Sequence, residues 1–595
     1  MDYSGVFGRT FHDYVDLGAG IMTKDWVIAP QAPREFTQGF PEISPVLLQL
    51  LWARGIHTQS AIDEFLNPDW EKDIHDPYLF NDMEKVVGRL KRAIGKKEKI
   101  VVYGDYDADG VPGAVILKST LDALGAVTGI YIPHREKEGY GISQAALTYL
   151  ETQNAKVLIT CDCGISNRDE VEGAVKLGID VIITDHHRLP PALPPAFAIV
   201  HPLREGEKYP FKYLTGGAVA FKVAQALLKG NEHNVAVGFE KWMLDLVAIS
   251  LVADVGKLVG ENRTLLKYGL IVLNKTRRKG LQQMYQRMSS TPGSITTTTI
   301  GWAIAPRINA AGRMDHANVA FQLLITEDDA EAAQLADALE GANTDRQRAT
   351  EKVVKEALAL AQAQGSQPIY MVQGEEWNQG VIGISASRVM EKVGRPVAIC
   401  VKNEKNEVVC SFRSLDAFNV VEALDQCHDV LLRFGGHPKA AGCSLTPLNW
   451  EPFCARMKEL AEPAFTNGRV LSQLVSDVAL SLDDITWDLW RELEKLSPYG
   501  EGNKEPRFLL SSMEVTEVKG MGADGKHLRI MVKSETGKVK KLIGFSFGNV
   551  DKHSMDWGKR LTPGTHIDAV IEIGVNEWNG NSELQLKIVD LRLAL

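Results

Sequence analysis

The chain contains no run of eighteen apolar residues, so no segment reads as a membrane-spanning helix. Its opening stretch, MDYSGVFGRTFHDYVDLGAG, is acidic and lacks a hydrophobic core segment, which argues against a secretory leader. Cysteine is scarce, at seven in 595 residues, so a disulfide framework is not expected and a reducing cytoplasm fits better. Positive charge is not in excess either: 66 Lys and Arg stand against 76 Asp and Glu, for a net charge of −10. A polycation that coats duplex nucleic acid is therefore disfavoured, although local basic grooves and metal ions still offer phosphate a place to bind. There is no fixed-period repeat and no low-complexity segment.

What remains is an ordinary globular composition, 45% hydrophobic and 24% charged, in a chain long enough for roughly three to five domains. Residues 1–75 read as an irregular start followed by short helices (PVLLQLLWARG, SAIDEFLN). Residues 76–326 alternate strands (IVVYGDY, GAVTGIYIP, KVLITCD, DVIITD) with helices (VPGAVILKSTLDALG, SNRDEVEGAVKLG), the pattern of a parallel α/β sheet. Residues 327–364 are Ala-rich and charged at helical spacing. As one helix they would span about 55 Å, enough either to bridge two domains or to lie along one. Residues 365–465 return to α/β character. Residues 470–595 carry about five strands of alternating hydrophobicity, which suits a small barrel, the oligonucleotide-binding kind included, or a sandwich.

Four segments place carboxylates at or just after apolar, β-branched runs: Asp105, Asp107 and Asp109 in GDYDADG, Asp162 in LITCDCG, Asp185-His186-His187 in IITDHH, and Asp254 in LVADVG. Strand ends of parallel sheets are where α/β folds bind ligands. If GDYDADG is extended, its three carboxylates share one face and call for a cation or for raised pKa values. An oxygen-rich set with one or two imidazoles favours Mn²⁺ or Mg²⁺, and two such ions are a common device for phosphodiester hydrolysis. Cys161 and Cys163 lack a second pair at zinc spacing and read as small buried residues. If the strand before them continues, His186 and His187 diverge, one toward metal and one toward substrate, with Asp185 orienting a ring. Arg307, Asn309 and Arg313 in PRINAAGR and Ser411, Arg413 and Ser414 in CSFRS add donors suited to phosphate. Gly435, Gly436, His437, Lys439 and Gly442 in FGGHPKAAG let backbone approach a ligand, though a Gly-Gly turn before a helix is the plainer reading.

In this order GDYDADGV, CDCGIS, TDHH, VADV, PRINAAGRM and FGGHPKAAGCSL closely resemble the motifs of the RecJ family, within the DHH phosphoesterase superfamily, over about residues 25–595. The resemblance implies a multidomain α/β protein. Its parts would be a parallel-sheet DHH domain, a long connecting helix, an α/β DHH-associated domain and a C-terminal OB-like β-barrel. It implies degradation of single-stranded DNA from the 5′ end to mononucleotides, with two Mn²⁺ or Mg²⁺ ions. Asp107, Asp109, Asp162, His186 and Asp254 match the family's metal ligands, with Asp162 bridging and Asp105 a further partner. His187, supported by Asp185, would face the scissile phosphate. Ser411 and Arg413, with either Arg307 or Arg313, would hold the terminal phosphate. Asn309, Gly436 and His437 fall in substrate-contacting motifs, and Arg135 and Tyr140 line the strand's path. A single-strand-binding protein and a RecQ-type helicase are implied partners in DNA repair and recombination.

The sequence departs from the family pattern at Pro112, Lys257, Asn378 and Cys410, none of them an expected metal ligand. Two rivals are weighed against this reading. A DHH phosphodiesterase of short oligoribonucleotides or cyclic dinucleotides would be shorter and lack the terminal barrel. A non-catalytic replication scaffold would have lost acidic ligands that are all present here.

Overall fold

The protein is described from a computed structural model, which covers residues 24–230, 235–465, 472–522, 525–548, 556–578 and 580–594. The irregular start expected for residues 1–23 lies outside the described residues. The chain then forms strand β1 (Lys24–Ile28) and helices α1 (Pro45–Ala53) and α2 (Gln59–Leu66). Ser44 and Thr58 cap the two helices by accepting from Leu47 and Ala61 N–H.

The expected α/β alternation forms a five-stranded, all-parallel sheet in the order β3-β2-β4-β5-β6. Its strands are β2 (Lys99–Gly104), β3 (Val127–Tyr131), β4 (Val157–Cys161), β5 (Asp180–Thr184) and β6 (Ala198–Val200). The last of these, three residues long, is too short to leave a sequence pattern. Helices α3 (Gly110–Ala123), α4 (Gly216–Leu228) and α5 (Leu244–Ala253) share one core with a face of the sheet. Ile142, Leu147, Leu150, Val171 and Ala174 cover the other face. Both faces are buried, which explains why the strands read as nearly continuous apolar runs.

Helix α6 (Ala305–Met314) leads toward the long helix α7 (Asp329–Ala363), whose 35 residues span about 52 Å. Ala336 and Leu339 belong to the first core, whereas Val353, Val354, Ala357 and Ala361 belong to another. Of the two readings of this helix, the bridge is the one observed. Beyond it lie β7 (Tyr370–Gly374), α8 (Ile382–Val393), β8 (Val397–Lys402), β9 (Val408–Arg413), β10 (Arg433–His437) and β11 (Ala440–Leu445). The strands form a mixed sheet in the order β10-β11-β9-β8-β7. The Gly-Gly segment is not a turn before a helix. It is the exposed edge strand of a hairpin, Gly436 at φ +139° opposite Ala441, turning at Pro438-Lys439. Cys400 and Cys410 face each other across β8 and β9 and are bonded, a single pair rather than a framework. Cys161, Cys163, Cys427, Cys443 and Cys454 are free, and the first two are buried as expected.

Strand β12 (Ser472–Ser476) pairs in parallel with β1, and β13 (Val478–Ala479) follows it. Then β14 (Phe508–Met521), β15 (His527–Lys533), β16 (Val539–Gly544), β17 (His566–Trp578) and β18 (Asn581–Leu593) run in the order β14-β15-β16-β18-β17. Pairing of β14 with β17 closes them into a barrel rather than a sandwich. Phe36, Leu48, Leu51, Ile62 and Phe65 from the chain's start pack into the same core as Phe508, Ile530 and Ile571 of this barrel. Arg263, fully buried, fastens these parts to the parallel-sheet unit. Its guanidinium donates to the carbonyls of Phe65, Lys495, Ser497 and Pro498. Among the described residues no helix is long and apolar enough to cross a membrane.

Candidate active site

The parallel ladder itself brings the acidic residues together. The N–H of Asp105, just past β2, donates to Cys161 O at the end of β4. In the same way Asp162 N–H donates to Thr184 O, and Asp185 N–H to Val200 O. Three successive strand ends thus place Asp105, Asp162 and Asp185 along one sheet edge. Asp254 arrives from outside the sheet as the C-cap of α5.

The DYDADG segment is not extended, so its carboxylates do not share a face. Asp107 Oδ1 accepts the N–H groups of Asp109 and Gly110, which turns the chain into α3, with Asp109 as N-cap. The turn sends the carboxylates to two clusters. Asp105, Asp107 and Asp162 have ligand atoms within 4.8 Å of one another, and so do Asp109, His186 and Asp254. A third set, Asp162, His186 and His187, links them. Asp162 adopts φ +63°, unusual for a residue with a side chain, and faces both groups. A Cβ at position 216 would lie 2.5 Å from Asp162 Cβ, so only glycine lets α4 start there.

The imidazoles do not diverge, because β5 ends at Thr184 and the chain has already turned. The ring centres of His186 and His187 are 4.6 Å apart. His186 Nε2 lies 3.0 Å from Asp162, 3.5 Å from Asp109 and 3.7 Å from Asp254. Burial lowers its pKa, which favours the neutral ring that ligates metal. Asp185 accepts N–H groups from Ile165, His186 and His187 and lies 2.9 Å from His187 Nδ1. Burial alone would lower His187, but its hydrogen bond to Asp185 and that carboxylate's charge raise it to about 9.

The donor set fits divalent cations. Asp105 Oδ1 is buried and has no hydrogen-bond partner, the condition of a ligand atom aimed at an ion. Burial together with neighbouring carboxylates pushes Asp105, Asp109 and Asp162 up and carries Asp254 to about 8, strain that positive charge would relieve. Asp109 is further supported by Gly216 N–H, Gly217 N–H and the Ser250 hydroxyl. Sequence reasoning passed over these three. The Thr-Gly-Gly opening of an apolar helix was the available signal.

A cavity of about 260 Å³ opens beside the carboxylates, lined by Tyr106, Arg135, Arg313, Ser411 and Arg413. Arg135 lies over the Tyr106 ring at 4.9 Å. Burial lowers Arg313 and Arg413, and the charge of Arg135 lowers both further. Crowded guanidiniums of this kind suit an anion, with Glu136 the one acidic side chain in the cavity's lining. Of the two arginines of PRINAAGR, Arg307 is held by Glu340 of α7 at 2.6 Å, and Arg313 lines the cavity. Asn309 accepts Ala108 N–H and so braces the carboxylate loop. Gly436 and His437 are exposed on β10 and do not line this cavity. The half-exposed Tyr140 reaches the site: its hydroxyl donates to Asp162 O and lies 2.9 Å from His187 Nδ1. Of the departures, Pro112 sits in the first turn of α3, Lys257 stacks on Tyr213, and Asn378 caps Gly380 N–H.

Known proteins share these domains. Residues 99–251 match the DHH family N-terminal domain, 365–462 the DHHA1 domain, and 476–590 the RecJ OB domain. The single-stranded-DNA-specific exonuclease RecJ of Bacillus subtilis (strain 168) is 36% identical over 92% of this chain and 68% of its own length. That of Escherichia coli (strain K12) is 31% identical over 92% and 96%. The chain belongs to the RecJ family. RecJ of Thermus thermophilus in complex with Mn²⁺ superposes with a TM-score of 0.80 at 30% identity, covering 95% of this chain and 79% of that one. Its complex with Mg²⁺ gives 0.73 at 28% identity, over 95% and 78%.

Proposed function

We infer that the protein is a divalent-metal-dependent exonuclease of single-stranded DNA that works from the 5′ end and releases 5′-mononucleotides. The observation that carries this reading is the pair of carboxylate clusters joined at Asp162, set beside an arginine-lined cavity. Asp105, Asp107 and Asp162 would hold one Mn²⁺ or Mg²⁺ ion, and Asp109, Asp162, His186 and Asp254 the other. When bound, such ions acidify water and stabilise charge on phosphoryl oxygens.

The chain's own residues do the rest. Arg313, Arg413, Arg135 and Ser411 hold the terminal 5′-phosphate, which sets the next phosphodiester over the carboxylates. His187, kept protonated by Asp185, donates to a non-bridging oxygen of that phosphate as negative charge grows. A water gives up a proton as its oxygen bonds to phosphorus, the P–O3′ bond breaks, and the departing O3′ takes up a proton to leave as the hydroxyl. The shortened strand is left with a new 5′-phosphate, the group the cavity accepts, so the cycle can repeat. Residues 470–595 extend the grip on the strand, with 76–326 as the catalytic unit, 327–364 as the connecting helix and 365–465 as the wall that supplies Ser411 and Arg413. A cytoplasmic place in DNA repair and recombination, alongside a single-strand-binding protein and a RecQ-type helicase, goes with this reading.

The test is release of acid-soluble nucleotide from 5′-phosphorylated single strands with Mn²⁺, beside blunt duplex and a dinucleotide. Mononucleotide from the single strand and none from duplex supports the reading. Equal action on duplex, or turnover of the short substrate alone, overturns it.

A further inference from the structure

Trp302 is 83% exposed, a large apolar ring left in water. It sits in a five-residue π-helical turn, Ile300–Ile304, that runs directly into α6. Ile300 and Ile304 on either side are fully buried, so the turn is anchored and the ring is held outward. Such wide turns are rare and occur frequently at functional sites.

The turn and α6 together run past the reaction centre like a ruler. At the far end, Arg313 lines the phosphate cavity. Four residues back, Asn309 holds Ala108 of the carboxylate loop. Seven residues further back, roughly 10 Å along the axis, lies Trp302. At that end the backbone approaches α5: a Cβ at Gly301 would lie 3.7 Å from Val252 Cγ1, two residues before Asp254. Val255, just after Asp254, is 64% exposed and sits at φ +56°, a conformation that disfavours a β-branched residue. Val255, next to Asp254, and Trp302, at the end of this run away from Arg313, are thus two exposed apolar side chains near where the turn approaches α5.

We propose that Trp302 is a positioning residue for single-stranded DNA, its ring stacking on a base a few nucleotides 3′ of the scissile phosphate. This rests on the exonuclease reading above. With the 5′-phosphate in the cavity and the scissile phosphate over the carboxylates, the rest of the strand would run along α6 toward Trp302. An exposed ring stacks on any base, so the contact is indifferent to sequence and unavailable to bases paired in duplex. Stacking there supports both the grip on long strands and the preference for unpaired ones.

The experiment uses the full chain with Mn²⁺ and follows KM and kcat on a 5′-phosphorylated 20-mer, on a 5′-phosphorylated dinucleotide, and on 20-mers carrying one abasic site at successive positions. Trp302→Ala is expected to raise KM on the 20-mer by about 5- to 150-fold. On the dinucleotide, which ends before the ring, it should change nothing beyond twofold. In the wild type an abasic site at one position, or two adjacent ones, downstream of the bond raises KM. That dependence disappears in Trp302→Ala and returns in Trp302→Phe. Equal loss on dinucleotide and 20-mer, or an abasic profile unaltered by the substitution, overturns the proposal. A wild type that releases nothing from any single strand instead overturns the functional reading on which it rests.

Discussion

Replacing Arg313 with alanine should penalise 5′-phosphorylated ends selectively. Its Nη1 donates to Gly380 O at 2.9 Å, which orients the guanidinium in the cavity with Arg135, Arg413 and Ser411. A charge-assisted hydrogen bond contributes about 1.5–3 kcal/mol, and about 1.4 kcal/mol corresponds to tenfold. Arg313→Ala should therefore lower single-turnover kcat/KM on a 5′-phosphorylated strand about 10- to 150-fold. On the 5′-hydroxyl strand, which brings no terminal phosphate, the rate should stay within about twofold of wild type. Arg313→Lys keeps a charge but not the fork of donors and should fall between. Arg307→Ala serves as the contrast, since Arg307 is spent on Glu340 and should not alter the ratio between the two ends. An equal loss on both ends, or a changed ratio in Arg307→Ala, would refute the placement of the phosphate.

Further outcomes follow from other parts of the molecule. Asp162→Asn removes the carboxylate that belongs to one cluster and reaches the other through His186, and it should lower kcat at least about a thousandfold with near-native circular dichroism, since buried charge is removed rather than created. Glu261→Ala strands Lys222, whose ammonium is fully buried and pairs with Glu261 at 2.5 Å; the loss should be about 3–5 kcal/mol, read as an earlier urea transition. Gly216→Ala forces a methyl group against Asp162 and should weaken Mn²⁺ binding in calorimetry far more than Gly574→Ala, where a Cβ meets nothing within 4 Å. A pH dependence is expected from His187. Its folded pKa, about 9, exceeds the unfolded value of about 6.5, so the Asp185 pairing stabilises fully below about pH 6.5 and is lost as pH rises through 9. Metal-free Asp185→Asn should show a shallower decline of the urea midpoint across that window than metal-free wild type, and identical slopes would contradict the pairing.

Much of the site was legible in the sequence because parallel strands end in register. Carboxylates that follow apolar runs must gather at one edge, and Asp105, Asp162 and Asp185 do. What failed was backbone direction after the strands stop. Asp107 accepts two N–H groups and turns the chain, so Asp107 and Asp109 part company, and His186 and His187 converge beyond β5 for the same reason. Side-chain pairing across distant segments was also out of reach. Nothing local to PRINAAGR tells that Glu340, a turn and a helix later, occupies Arg307 and leaves Arg313 to the cavity. The docking of Phe36, Leu48 and Phe65 on a barrel more than 400 residues away depends on tertiary packing, and an amphipathic helix does not name its partner. The Gly-Gly-His segment became a strand because β11 supplied its ladder, against a local preference for a turn.

The central claim is that two ions share Asp162. Anomalous X-ray scattering from crystals grown with Mn²⁺ tests it most directly. The account predicts two peaks, one among Asp105, Asp107 and Asp162 and one among Asp109, Asp162, His186 and Asp254. A single peak, or two peaks neither of which touches Asp162, would contradict it.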